Sequence, residues 1–323
     1  MKTFLSRILS LFLAVSLLFC LAGCKERTSE DPYENALLRA VDYLYGDVGV
    51  ANGAEWLALG LAGREGLAPK KGWEKQYAKS VAKDASECDG VFAVRKMTDQ
   101  AGVIIGVTAA GYDASDFEGY DLTLPLADYE KSMLQGINGA AWALIALDFG
   151  GYEMPEDPNV PVQATKDMYV DYILSRQLPD GGFAFAANAA QGDPDMTGMV
   201  LVALSNYTYR EDVALAVERG VSCLSVLQNE DGGYTSYGLD AAESCAQVII
   251  ALMRLGIPLD DPRFVKNGRT VMDKLMEYCS EDGGFEHVLG EGVNGVATEQ
   301  AILAIVSWMR VSSGESDIFS IYS

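Results

Sequence analysis

Histidine occurs once in this chain, at His287, and that scarcity bounds the chemistry. A Ser-His-Asp arrangement would have to recruit this one residue, and an imidazole-based zinc site has no supply. The runs Gly-x-Ser-x-Gly, Gly-Lys-Ser/Thr and His-Glu-x-x-His are absent, so a nucleophile elbow, a phosphate loop and a zincin helix are not expected. No Cys-x-x-Cys pair points to structural zinc. Basic residues are outnumbered 24 to 46, for a formal net charge of −22. Such a surface repels nucleic acid, anionic lipid and pyrophosphate esters. No nucleic-acid partner, no metal and no cofactor are therefore expected. Strand signals are sparse and no low-complexity linker follows residue 35, while nearly half of the residues are hydrophobic. One compact helical domain fits these limits.

What is present starts at the N-terminus. Lys2 and Arg7 precede an apolar run from Ile8 to Leu21, which ends in Leu21-Ala22-Gly23-Cys24. A charged head, a short apolar stretch and small residues before a cut describe a secretory signal. The box ending in Cys24 resembles a bacterial lipoprotein signal, which implies residues 1–23 as signal peptide and a lipid on Cys24 as the membrane contact. Two acyl chains hold stably to a bilayer, and the apolar run is short for a span. Residues 24–35 read as a polar tether, and the remainder is expected outside the cytoplasm, anchored to the cell membrane. Cys88, Cys223, Cys245 and Cys279 then remain, as buried thiols or in one of three disulfide pairings.

Asp-Gly-Gly followed by an aromatic occurs three times at a spacing of 51 residues, at Asp180 to Phe183, Asp231 to Tyr234 and Asp282 to Phe285. A fixed period of this size marks a repeat architecture. Each copy follows an amphipathic run and precedes an Ala-rich apolar run, so the unit is helix, glycine turn, helix. Ala203, Ala251 and Ala304 align the three downstream helices. Degenerate copies occupy the front half, as at Asp89-Gly90-Val91-Phe92. The hairpins are expected at 33–62, 73–111, 121–150, 163–207, 211–256 and 263–310. Downstream helices are apolar all round and belong inside; upstream helices carry a charged stripe and belong outside. The expectation is an all-α, α6/α6 toroid over residues 36–310, with a tail at 311–323. An open solenoid shares the local pattern. Trp56, Trp142 and Trp308 recur near the inner helices and read as core.

The repeats resemble the prenyltransferase and squalene-cyclase repeats of terpenoid cyclase-like toroids. Asp193-Pro194-Asp195-Met196-Thr197-Gly198-Met199, Asp261 to Gly268 and Ala297-Thr298-Glu299-Gln300-Ala301 carry the likeness. It implies a cup at the end where the inner helices begin.

Three chemistries follow from it. In class II cyclases the acid is the middle residue of Asp-x-Asp-Asp-Thr-Ala. Asp195 stands at that place, but Met196 replaces the following Asp, and Asp193 with Pro194 also reads as a helix cap. In protein prenyltransferases zinc is held by Asp-x-Cys and a later His; Glu243-Ser244-Cys245 is the corresponding run, and the His expected near Thr298 is missing. Asp240 to Glu243 also spaces as a capping box. A glycoside hydrolase would need two carboxylates such as Asp195 and Glu243, with Tyr234, Tyr237 and Phe285 as stacking faces. The degraded motifs favour a non-catalytic binding module on a surface lipoprotein, with Asn138, Thr197, Tyr237, Cys245, Thr298, Glu299 and Gln300 lining the mouth. Its partner would be a small molecule, a glycan or a surface protein. An enzyme using Asp195 alone, or Asp195 with Glu243, is the alternative.

Overall fold

The computed structural model describes residues 27–92 and 96–322. Residues 1–23, expected as a signal peptide, and Cys24, expected to be lipidated, lie outside the described residues. Twelve α-helices among the described residues make six hairpins. They are α1 (Pro32–Asp47) with α2 (Glu55–Gly63), α3 (Trp73–Cys88) with α4 (Met97–Ala109), and α5 (Tyr129–Ser132) with α6 (Ile137–Phe149). Then come α7 (Lys166–Ser175) with α8 (Pro194–Leu204), α9 (Glu211–Leu227) with α10 (Ala242–Arg254), and α11 (Val271–Leu275) with α12 (Gly295–Ser312).

Burial sorts the helices into two layers. Residues 100–109 of α4 are all buried, as are residues 196–204 of α8. A helix with no polar face has nowhere to sit but inside. On α9 the buried residues instead form one stripe through Val213, Ala216, Val217, Gly220 and Leu224. The even-numbered helices pack in the order α2–α4–α6–α8–α10–α12, and α12 packs back on α2. The ring is closed. At the closing contact a Cβ on Gly60 would lie 2.6 Å from Ile302 Cγ2, so only glycine admits this approach. Outer helices bridge neighbouring hairpins: α7 packs on α6, α9 on α8, α11 on α10 and α1 on α12.

The glycine turns explain that bridging. The first glycine of each turn has positive φ, +88° at Gly181, +89° at Gly232 and +85° at Gly283. A Cβ there would stand 2.6 Å from Arg219 O, 2.8 Å from Thr270 O and 3.1 Å from Arg39 O, each at the outer helix of the next hairpin. The third contact joins hairpin six to hairpin one. Gln177 fastens the first turn by donating to Gly181 O and Ala216 O, and Gln228 does the same for Gly232 O and Phe264 O.

Two short antiparallel ribbons stand at the glycine-turn end, β1 (Thr235–Ser236) with β2 (Leu239–Asp240), and β3 (Phe285–Glu286) with β4 (Val293–Asn294). Arg27 and Tyr322, at the two ends of the described residues, lie at the opposite end, where the inner helices finish. Residues 27–35, expected as part of a polar tether, are packed on the domain: Arg27 pairs with Asp42 and reaches Leu67 O, and Asp31 caps α1 ahead of Pro32. Asp31 before proline is a strong start signal, so the helix begins where the tether was expected to continue. The tail is docked as well. Helix α12 runs to Ser312, Arg254 pairs with Asp317 at 2.9 Å with both side chains 8% exposed, and Tyr322 Oη donates to Ala109 O.

Candidate functional site at the mouth of the ring

Inner-helix first turns converge at the glycine-turn end. They bring Glu55 and Trp56 of α2, Asp99 of α4, Asn138 and Trp142 of α6, Asp195 of α8, Glu243 of α10, and Glu299 and Gln300 of α12 to one face of the ring. Below them the axis is nearly filled. A cavity of about 60 Å³ remains, walled by Trp56, Trp142, Met199, Gln247, Gln300 and Phe319. Trp56 and Trp142 face each other at 4.8 Å between ring centroids, and Gln247 Nε2 donates to Gln300 Oε1 at 3.0 Å. Both tryptophans are half-buried, pack against the core as expected and also line the axial cavity.

Asp193 caps α8, accepting from Met196 N at 3.0 Å on one oxygen and from Ser236 Oγ at 2.6 Å on the other. Pro194 occupies the first helical position. Asp195 is not part of that cap. Its Oδ1 is buried with no hydrogen-bond partner, and Ser244 Oγ beside it is buried and likewise unpartnered. Burial pushes the Asp195 carboxyl up to about 6; the nearby Asp193 and Glu243 charges add to the rise, while the Ser244 and Ser236 hydroxyls oppose it.

Glu243 does not belong to a capping box. The residue before α10 is Ala241, with no side-chain cap, and Ala242 N donates to His287 O at 3.1 Å. Asp240 is occupied by the Thr235 hydroxyl across the ribbon. Glu243 Oε2 instead meets His287 Nδ1 at 2.8 Å. The ribbon carrying His287 thus reaches back to the preceding hairpin, a contact that sequence distance concealed. A second carboxyl group sits across the ring. Burial, and then the charge of Glu55, push Glu299 up to about 7. Glu55 is also raised, chiefly by burial, although Gly53 N and Tyr77 Oη donate to it. Neither Glu55 nor Asp99 was singled out from sequence. Their place on inner-helix first turns, equivalent to that of Asp195, was the available signal.

Several residues expected at the mouth have structural duties. Thr197 Oγ1 accepts from Phe183 N at 2.9 Å and donates to Phe183 O, and Thr298 Oγ1 accepts from Phe285 N at 2.8 Å. Both threonines are fully buried and hold the aromatic turn. Cys245 has the same register position and is fully buried, and burial pushes its thiol up to about 12. A thiol so resistant to ionisation is poorly suited to metal or nucleophilic chemistry. These three side chains therefore do not line the mouth. Tyr234 and Phe285 are buried too, at 1% and 0% exposure, so of the expected stacking faces only Tyr237, 78% exposed, is open to a ligand. Asn138, Glu299 and Gln300 are half-buried at the mouth. All four cysteines among the described residues are free thiols, and no group of three or more metal-binding side chains gathers there.

No curated protein matches the chain. Residues 163–286, which span α7 to α11 with Asp195, Glu243 and Cys245, match the family described as the squalene-hopene cyclase C-terminal domain, and this part of the all-α toroid is similar to it.

Proposed function

We propose that the toroid is a binding module whose mouth captures a ligand, carried by a lipoprotein outside the cytoplasm. A hollow of about 400 Å³ at the mouth, lined by Asn52, Glu55, Trp56, Phe92, Thr98 and Asp99, carries the capture reading, and the small axial cavity argues against chemistry on a polyprene within the ring. About 60 Å³ holds roughly two waters, whereas ligand pockets run to roughly 300–1,000 Å³. A folded polyprene chain has no place along this axis. Export and anchoring rest on the lipoprotein-like run ending in Cys24. Since Arg27 docks at the end opposite the mouth, a lipid on Cys24 would leave the mouth facing away from the bilayer. Mass spectrometry of the intact protein released gently from its own membrane tests the proposal. A bound small molecule lost on Asp195→Asn is expected. Cyclisation of a polyprene by the purified protein, abolished by the same change, would overturn it.

Asp195 favours one second reading. An acid held near pH 6 by burial suits proton donation, and Glu243 lies close enough to act on it electrostatically. A hydrolase acting on a glycosidic bond would use this pair. Glycan cleavage that vanishes in both Asp195→Asn and Glu243→Gln would establish it.

A further inference from the structure

Outer helix α3 carries polar residues on its inward side. Tyr77, Ser80 and Asp84 follow at three- and four-residue spacing, which puts them on one face. That face holds the loop before α2. Tyr77 Oη donates to Glu55 Oε1 at 3.3 Å, Ser80 Oγ accepts from Asn52 N at 3.1 Å, and Asp84 Oδ2 accepts from Asn52 Nδ2 at 2.8 Å. Gly53 N adds a second bond to Glu55 Oε1 at 2.9 Å. Helix α4 makes room for the arrangement. A Cβ on Gly106 would overlap the Tyr77 hydroxyl, so glycine stands in a helix interior where alanine would be the more stable residue. On the other side Gln135 clamps Thr98, accepting from its backbone N at 2.9 Å and donating to its Oγ1 at 3.1 Å.

All of these bonds fix residues in the wall of the 400 Å³ hollow at the mouth. They also decide what the wall offers. Both bonds to Glu55 fall on Oε1, which leaves Oε2 to the hollow. The Asn52 amide nitrogen is taken by Asp84, which leaves Oδ1. The exposed Asp99 and the Thr98 hydroxyl join them from the start of α4, and Trp56 and Phe92 supply aromatic surface.

We propose that this hollow holds a saccharide, its apolar ring face against the aromatic wall and its hydroxyls donating to Glu55, Asn52 and Asp99. The assignment rests on the mouth being a binding site and names the class of its ligand. Hydroxyls spaced round a sugar ring reach acceptors on both helices, and each can also accept from Thr98. A single ammonium group meets one side of the hollow only. An apolar ligand would leave the polar wall without partners. Anions are repelled by Glu55 and Asp99.

Saturation-transfer NMR of the full chain with the methyl pyranosides of glucose, galactose, mannose and N-acetylglucosamine tests the proposal. At least one should receive saturation, most strongly at the protons of one ring face. Glu55→Gln keeps the shape and the Tyr77 bond but loses a charged acceptor, and should weaken that pyranoside on the order of 10-fold or more. Asp99→Asn, at an exposed position, should weaken it without touching the core. Gly102 lines the hollow, and a Cβ there meets only Glu55, at ordinary contact distance. Gly102→Leu should therefore fill the space and abolish binding, with thermal melting to show that the variant folds. Glu218→Gln on the outer wall should leave binding unchanged. Absence of saturation on every pyranoside, or binding that survives Gly102→Leu, overturns the proposal. Phenethylammonium that binds more tightly than every pyranoside and is lost in Gly102→Leu also overturns it, and makes the occupant an organic cation. A native ligand lost on Asp195→Asn but kept in Gly102→Leu overturns the saccharide hollow and leaves capture elsewhere at the mouth. If native protein retains nothing and no probe binds, both readings fall.

Discussion

Trp56 and Trp142 meet across the axis of the ring, although the helices that carry them, α2 and α6, are separated by α4. Their planes are tilted by 47°, an arrangement in which each ring packs against the face or edge of the other. The pair lines the small axial cavity together with Met199, Gln247, Gln300 and Phe319. Replacing both with alanine should open the axis. A loss of about 3–5 kcal/mol is the usual range for one large buried aromatic, and half-burial places each of these near its lower end. Urea denaturation measures that loss. The same double variant should gain binding of an apolar fluorescent dye; failure to do so would show that another group closes the axis.

Ring closure has its own test in Gly60. The side chain that a Cβ would strike is Ile302, itself fully buried. Gly60→Ala should cost about 1–3 kcal/mol through overpacking. In an Ile302→Ala background the clash partner is gone, and adding Gly60→Ala should cost almost nothing further. An additive double-mutant cycle would mean that α2 and α12 do not meet as described.

Thr197 and Thr298 predict a paired effect. Each hydroxyl serves the backbone of the aromatic that follows a glycine turn. Valine keeps the shape and removes the hydroxyl, leaving a buried N–H without a partner. Thr197→Val and Thr298→Val should each destabilise by about 1–3 kcal/mol. Binding at the mouth should survive in whatever fraction remains folded. Loss of ligand at full stability would return these residues to the binding surface.

The repeat was legible because three glycine turns impose an identical contact, and the chain needs the same sequence to make it each time. The inner and outer layers were legible because burial on all sides leaves no polar stripe. The mouth was less so. Thr197, Cys245 and Thr298 occupy first-turn positions that look available for a ligand, but the side chains turn back onto Phe183, Tyr234 and Phe285. Helix periodicity gives position along the axis and says little about which neighbour claims a hydroxyl. His287 lies 44 residues from Glu243, and only the β3–β4 ribbon brings them together. Gln100 shows the same difficulty in a degenerate copy. Its amide takes the threonine's role, accepting from Phe92 N and donating to Gly90 O and Leu122 O, with no residue identity to reveal it.

Glu299 should make the fold weaker as pH rises. Its carboxyl lies near 4.5 when unfolded and about 7 in the ring, so the folded state binds the proton more tightly. The stabilisation is complete below pH 4.5 and disappears as pH climbs through about 7, and Asp195 acts in the same direction, between its ordinary range and about 6. Asp261 opposes this only under strong acid, since Arg263 holds it down to about 2. Thermal melting should therefore show greatest stability near pH 5 and a decline toward pH 8. Glu299→Gln cannot ionise, so at pH 8 it should melt higher than the parent, with a gain of up to ~3 kcal/mol. At pH 4.5 and below, where the parent is protonated, the two should coincide. General repulsion among the 46 acidic residues also weakens the fold at high pH, but a single amide would barely change it. Parallel curves for parent and variant would therefore assign the decline to net charge and take the buried proton away from Glu299.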